Sequence, residues 1–227
     1  MKYLIIGHPR CGSTFMSKLF IKNNLDVKHE IMGADGTSNW QYAIKDAKCF
    51  YWTKGVRLDY QFNKIIHYVR DPFYAIPSIV FTETPRSFSK LTEEYIDYVN
   101  TRAPAKELES LRSKGAWVNF SENFRRKYVK FPDTNIFENG AHSFLEWNKI
   151  IEHQKPDLIV RVEHAFKDLK ELKVITEDLE DKKVNSRRHN NMKITQWNQI
   201  SDNTIDLLEK FCLRYGYKSL KKRLENL

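Results

Sequence analysis

The chain has 227 residues, with 38 Lys and Arg against 29 Asp and Glu, a net charge of +9 and 30% charged residues. That length suits one domain, or one domain with a sizeable insertion, and no apolar run approaches the roughly 18–20 residues of a membrane-spanning helix. Three cysteines (Cys11, Cys49 and Cys212) stand far apart with no CxxC pair, which gives no sign of a disulfide framework or a zinc site and fits a reducing, cytoplasmic compartment.

Residues 2–6 form a short apolar run closed by Gly7, the pattern of a buried parallel strand rather than of a signal peptide. A turn-rich stretch follows, Gly7-His8-Pro9-Arg10-Cys11-Gly12-Ser13-Thr14. Phe15, Met16, Leu19 and Phe20 then recur at helical spacing, predicting a helix over 13–24. Residues 25–28 read as a short second strand. Residues 33–40 are polar and turn-rich and end on Trp40; they read either as a connection or as the wall of a pocket where Trp40 stacks on a sugar.

Residues 64–69 are β-branched and aromatic and read as a strand. It stops at Arg70-Asp71-Pro72, where Pro72 suits the first turn of a helix reaching about residue 82. Pro85, Pro104 and Pro132 break the rhythm over about 83–138, which reads as a largely helical insertion within a single domain. A helix over 141–153, a strand over 158–162 and a helix carrying Ile205, Leu208 and Cys212 up to Gly216 complete the chain. Strands alternating with helices predict an α/β domain, three-layered, with a central parallel sheet flanked by helices.

Two motifs carry the chemistry. Gly7-x-x-x-x-Gly12-Ser13-Thr14 has the outline of a phosphate-binding loop, in which backbone N–H groups and a helix N-terminus cradle a phosphate. Ser13 stands where nucleoside triphosphatases have lysine, which argues against ATP or GTP as phosphoryl donor. The positive charge sits within the loop instead, on Arg10. The second motif is Arg70 at a strand's carboxyl end with Ser78 eight positions on, about two helical turns into the next helix. An arginine and a hydroxyl so arranged can grip one phosphate dianion.

Together the motifs resemble the P-loop-like sulfotransferases that use 3′-phosphoadenosine 5′-phosphosulfate (PAPS). The resemblance covers roughly residues 1–30 and 63–82. It implies that Pro9, Arg10, Cys11, Gly12, Ser13 and Thr14 bind the 5′-phosphosulfate, with Cys11 and Ser13 replacing the family's serine and first threonine. It implies that Arg70 and Ser78 hold the 3′-phosphate. Arg187 or Arg188, in a late basic loop lacking the family's Arg-Lys-Gly triplet, is expected to close over that phosphate. The reaction implied moves a sulfuryl group to a small-molecule or glycan hydroxyl, a carbohydrate suiting the basic, aromatic-rich composition, and releases the adenosine bisphosphate PAP without a metal.

Related enzymes place a catalytic acid or histidine after the second strand, which makes Glu30 the first candidate for the base and His29 the second, with Arg10 neutralising the leaving phosphate. Arg161 and Glu163 read as a structural ion pair, and Lys218, Lys221, Lys222 and Arg223 as a solvated helix face. A P-loop nucleoside or metabolite kinase is the alternative enzyme, set against it by the missing lysine. A nucleic-acid-binding protein is suggested by charge alone and has no zinc-finger spacing, RNP-like motif or concentrated basic helix.

Overall fold

The computed structural model describes residues 1–44, 61–83, 121, 124–179 and 192–227. Most of the expected insertion lies outside the described residues, as do Arg187 and Arg188. Within them runs β1 (Tyr3–Ile6), α1 (Ser13–Lys22), β2 (Val27–His29) and β3 (Gly36–Ser38), followed by a 3₁₀ turn at Trp40–Ala43. Next come β4 (Lys64–Val69), α2 (Pro72–Glu83), α3 (Ile136–His153) and β5 (Leu158–Arg161), then a 3₁₀ turn at Val162–His164. The chain closes with α4 (Ala165–Glu171), α5 (Ile194–Trp197), α6 (Asp202–Arg214) and α7 (Leu220–Leu224). Among the described residues no helix is long and apolar enough to cross a membrane.

The five strands form one parallel sheet in the order β2-β3-β1-β4-β5. Alternation along β1 sends Tyr3 and Ile5 to one face and Leu4 and Ile6 to the other. The first face packs on Met16, Leu19 and Phe20 of α1, and the second on Trp147 and Ile151 of α3. Burying each such side chain contributes about 1.5–3 kcal/mol. The domain is therefore a three-layer α/β unit, helix on sheet on helix, as the alternating pattern predicts.

Several boundaries differ from the sequence reading; α1 stops at Lys22 and β2 is Val27–His29 rather than 25–28. Residues 33–40 contain a strand: β3 inserts between β1 and the edge strand β2, pairing with both. The helix expected from residue 141 begins at Ile136, because the Asn135 side chain accepts hydrogen bonds from the amides of Phe137 and Glu138. The last strand ends at Arg161, and Val162 already belongs to the following turn.

Because α1 carries the chain from β1 toward β2 and β3, while β4 lies on the opposite flank of β1, the connections diverge between β1 and β4. Ligands of open α/β sheets bind outside the carboxyl ends of strands at such a divergence. Register places Ile6 opposite His67, so β4 runs two residues beyond β1 and delivers Arg70 beside the glycine loop.

Candidate functional site

The glycine loop leaves β1 through His8, a buried side chain whose bonding fixes its tautomer. Nδ1 lies against the Pro9 carbonyl, which can only accept, so Nδ1 carries the hydrogen. Nε2 is then the acceptor for the Ser143 hydroxyl of α3 at 2.9 Å. Complete burial, with the charges of Arg125 and Arg10 nearby, pushes the imidazole well below its ordinary range and keeps it neutral. Ser143 also accepts from Nε of the buried Arg125 at 2.8 Å, so the second layer of helices is bonded to the root of the loop.

Beyond Pro9 the loop turns at Arg10, with φ of 71°, and enters α1 at Gly12, with φ of 114°. Both are left-handed, a conformation that favours glycine and costs other residues energy. A Cβ on Gly12 would stand 2.9 Å from Val162 Cγ1, so the position needs glycine for space as well. Gly12, the N-cap of α1, has no side chain to cap it with, and the first turn contains no acid. Neither a Gly12 side chain nor a first-turn acid therefore offsets the positive end of this helix. Cys11 is buried, its amide donating to the His8 carbonyl at 3.1 Å, and it packs in the core.

The two sequence motifs meet at one atom. Arg70 Nη1 donates to the Arg10 carbonyl oxygen at 3.1 Å, and Ser78 Oγ from α2 approaches the same oxygen at 3.5 Å. Asp71 sets this geometry: its side chain accepts from the Phe73 amide at 3.0 Å, capping α2, and Pro72 occupies the first helical position. Arg70 Nε also lies 4.0 Å from Glu163 Oε1.

On the opposite side of the loop, His29 Nε2 lies 2.9 Å from Ser13 Oγ and 3.3 Å from Thr14 Oγ1. Glu30 stands behind it, Oε1 at 3.8 Å from His29 Nε2, and that oxygen accepts from the Trp40 indole N–H at 3.1 Å. Glu30 has φ of 61° and is buried, the kind of strained, enclosed residue that collects at functional sites. Strand β3 holds this corner together. Ser38 Oγ donates to the Ser13 carbonyl at 2.9 Å, the Glu30 amide donates to Ser38 O at 3.0 Å, and Asn39 Nδ2 donates to Glu30 O at 3.3 Å.

The structure therefore brings together Pro9–Thr14, His29, Glu30, Arg70 and Ser78. Three readings need correction. Trp40 does not face a sugar pocket: it is fully buried against Phe124 and Trp147, because it starts the 3₁₀ turn under α3. Arg161 and Glu163 do not pair with each other. Arg161 Nη2 faces Asp168 at 3.6 Å, whereas Glu163 turns toward Arg70, since the strand ends between them. Arg223 is no solvated side chain: Nη1 bonds Asp71 Oδ2 at 2.7 Å, and its guanidinium lies 3.9 Å over the Phe73 ring. Lys221, by contrast, is an exposed partner of Asp206. Sequence reasoning placed Ser38 and Asn39 in a stretch that could wall a pocket but did not foresee that they tie Ser13 and Glu30 together, and it missed Tyr217, whose hydroxyl bonds Glu163 at 3.1 Å; no spacing signal marks these roles.

The chain matches no family model, no curated protein and no solved structure at a significant level.

Proposed function

We propose that this chain is a PAPS-dependent sulfotransferase acting on an acceptor hydroxyl. The observation that carries the reading is the convergence of Arg70 and Ser78 on the Arg10 carbonyl. It joins a phosphate loop that lacks the triphosphatase lysine to a second arginine–hydroxyl pair, which is what a nucleotide with separate 5′ and 3′ phosphates requires. The uncapped, acid-free start of α1 supports the same reading, because backbone amides and Arg10 suit a 5′-phosphosulfate.

PAPS supplies the sulfuryl group; the chain supplies binding, alignment and a proton acceptor. In the transfer the acceptor oxygen forms a bond to sulfur while the bond from sulfur to the 5′-phosphate oxygen breaks. Arg10 and the first amides of α1 would stabilise the phosphate that gains charge. His29 and Glu30 act as a unit on the acceptor side, taking the hydroxyl proton. His29 is the member in contact with Ser13 and Thr14, and Glu30 is anchored behind it by Trp40. A carbohydrate hydroxyl is the acceptor we favour, from the charge of +9 and the 13% aromatic content.

Calorimetry tests the reading. PAP and PAPS should bind more tightly than ATP, and EDTA should leave their affinity unchanged. Metal-dependent ATP binding with no PAP binding would favour a P-loop kinase and end the sulfotransferase proposal.

A further inference from the structure

We infer that Glu163, held by Tyr217 of the C-terminal segment, is a positioning residue that aims Arg70 at its phosphate. The segment after α6 is then part of the nucleotide site. The inference rests on the nucleotide reading above and adds residues that the two motifs do not contain.

The geometry starts at the neighbouring strand ends. β4 and β5 are paired with Val69 opposite Arg161, so the turn after β5 lies alongside Arg70 and Asp71. Both oxygens of Glu163 are engaged there. Oε1 accepts from the Asp71 amide at 3.2 Å and lies 4.0 Å from Arg70 Nε, while Oε2 accepts from the Tyr217 hydroxyl at 3.1 Å. The Tyr217 hydroxyl is also 3.2 Å from the Val69 carbonyl, so its single proton is shared between the end of β4 and Glu163. Burial and the Glu163 charge push the phenol upward, which keeps it a donor. Arg223 grips Asp71 from the same C-terminal segment at 2.7 Å. Tyr217 and Arg223 thus contact Val69 and Asp71, the two chain neighbours of Arg70.

An arginine side chain has much rotamer freedom to lose when it binds an anion. The Arg10 carbonyl bonded to Nη1, with the Glu163 charge 4.0 Å from Nε, biases the fork before a phosphate arrives, so less is lost on binding. Charge alone argues the opposite: a carboxylate beside a phosphate-binding arginine repels the ligand, and removing it should tighten binding. The two accounts differ in sign.

The experiment compares PAP with adenosine 5′-phosphosulfate, which lacks the 3′-phosphate, by calorimetry on folded protein. Glu163→Ala should weaken PAP about tenfold and leave adenosine 5′-phosphosulfate unchanged. Glu163→Gln keeps the shape and can still bond the Asp71 amide and Tyr217, so it should bind PAP at least as tightly as wild type. Tyr217→Phe should weaken PAP about three- to tenfold; it carries the test if the alanine variant does not fold. Tighter or unchanged PAP binding by Glu163→Ala, parallel losses for both nucleotides, or a glutamine variant as weak as alanine overturns the positioning role. A wild type that does not distinguish the two nucleotides overturns the reading of Arg70 itself, and this inference with it. A wild type that does, with variants that keep its ratio, overturns the inference alone.

Discussion

Helices α1 and α3 pack on opposite faces of the same sheet and begin in opposite ways. At α3 the Asn135 side chain caps two amides, and Glu138 adds a carboxylate in the first turn. That carboxylate is itself saturated, accepting from the Ser201 amide at 2.8 Å and from Thr204 Oγ1 at 2.6 Å. Burial pushes its pKa up, but the bonds from Thr204 and Ser201 outweigh burial and hold it below the usual range. At α1 the cap is a left-handed glycine with no side chain to offer, and no acid follows. The α3 end is closed by the protein's own groups and serves stability. The α1 end is left open and flanked by Arg10, Arg70, His29 and Ser78, at the expense of strained backbone at Arg10 and Glu30. Strained backbone beside converging polar side chains is the pattern from which the functional reading above starts.

The largest expected effect concerns chemistry at the open end. Glu30→Gln keeps the side chain's shape and should lower turnover by roughly 10²–10⁴ while leaving PAP affinity nearly intact. His29→Asn tests the other half of the pair. A dead His29 variant beside a normal Glu30 variant would assign the base to the imidazole. Normal turnover in both would remove the pair from the mechanism and weaken the contrast between the helix starts.

A second effect belongs to the closed side and reads as stability alone. His67 projects from β4 toward α3, where its Nε2 donates to Asn148 Oδ1 at 2.8 Å. Asn148 Nδ2 donates to the Phe144 carbonyl, which fixes the amide's orientation and hence the neutral Nε2–H tautomer. Burial lowers the His67 pKa from 6.5 to about 4. The unfolded chain therefore binds this proton first as pH falls. The stabilisation is fully present above about pH 6.5 and is lost as pH drops toward 4, a difference of roughly 3 kcal/mol. Urea unfolding of wild type and His67→Gln between pH 7.5 and 4 checks this: glutamine can still donate to Asn148 but does not titrate, so its curve should be flatter. Parallel curves would show that His67 does not govern acid stability.

Arg70→Ala comes next and should separate binding from folding. Loss of one charged hydrogen-bonding partner costs about 1.5–3 kcal/mol, or roughly ten- to a hundredfold in PAP affinity. Adenosine 5′-phosphosulfate should be affected far less, and the melting temperature should hardly move. Equal losses for both nucleotides would show that Arg70 does not read a 3′-phosphate.

The sequence exposed the open end better than the framework that supports it. Gly7, Gly12 and the Arg70–Ser78 spacing are legible because the phosphate-loop patterns they resemble are defined by particular residues at fixed separations. β3 is not, since Gly36-Thr37-Ser38 has neither apolar alternation nor β-branched length. Its place is set by tertiary fit: Gly36 has φ of 134°, and a Cβ there would meet the Tyr3 carbonyl oxygen. With β3 unseen, Trp40 reads as a loop aromatic, although its indole sits under α3 and anchors Glu30. Arg223 looks like its lysine neighbours, because nothing local reveals that Asp71, 152 positions away, is its partner. Contacts made by fold rather than by spacing leave no trace in one sequence.

The smallest effect tests the closed end directly. Asn135→Ala removes the oxygen that accepts from Phe137 and Glu138, both at 2.9 Å, and the donor that reaches the Gln199 carbonyl at the same distance. Losing an N-cap side chain typically costs about 1 kcal/mol. Asn135→Asp restores the acceptor and places a negative charge at the helix start, but cannot donate to Gln199. If capping dominates, urea midpoints should rank wild type and aspartate together above alanine; if the tie to Gln199 dominates, aspartate should fall with alanine. In either case PAP affinity should stay within experimental error of wild type, because Asn135 belongs to the end of the molecule that completes itself. A marked loss of PAP binding in Asn135→Ala would show that the two helix starts are coupled through α3 and Ser143, and that stability and binding are not divided between them.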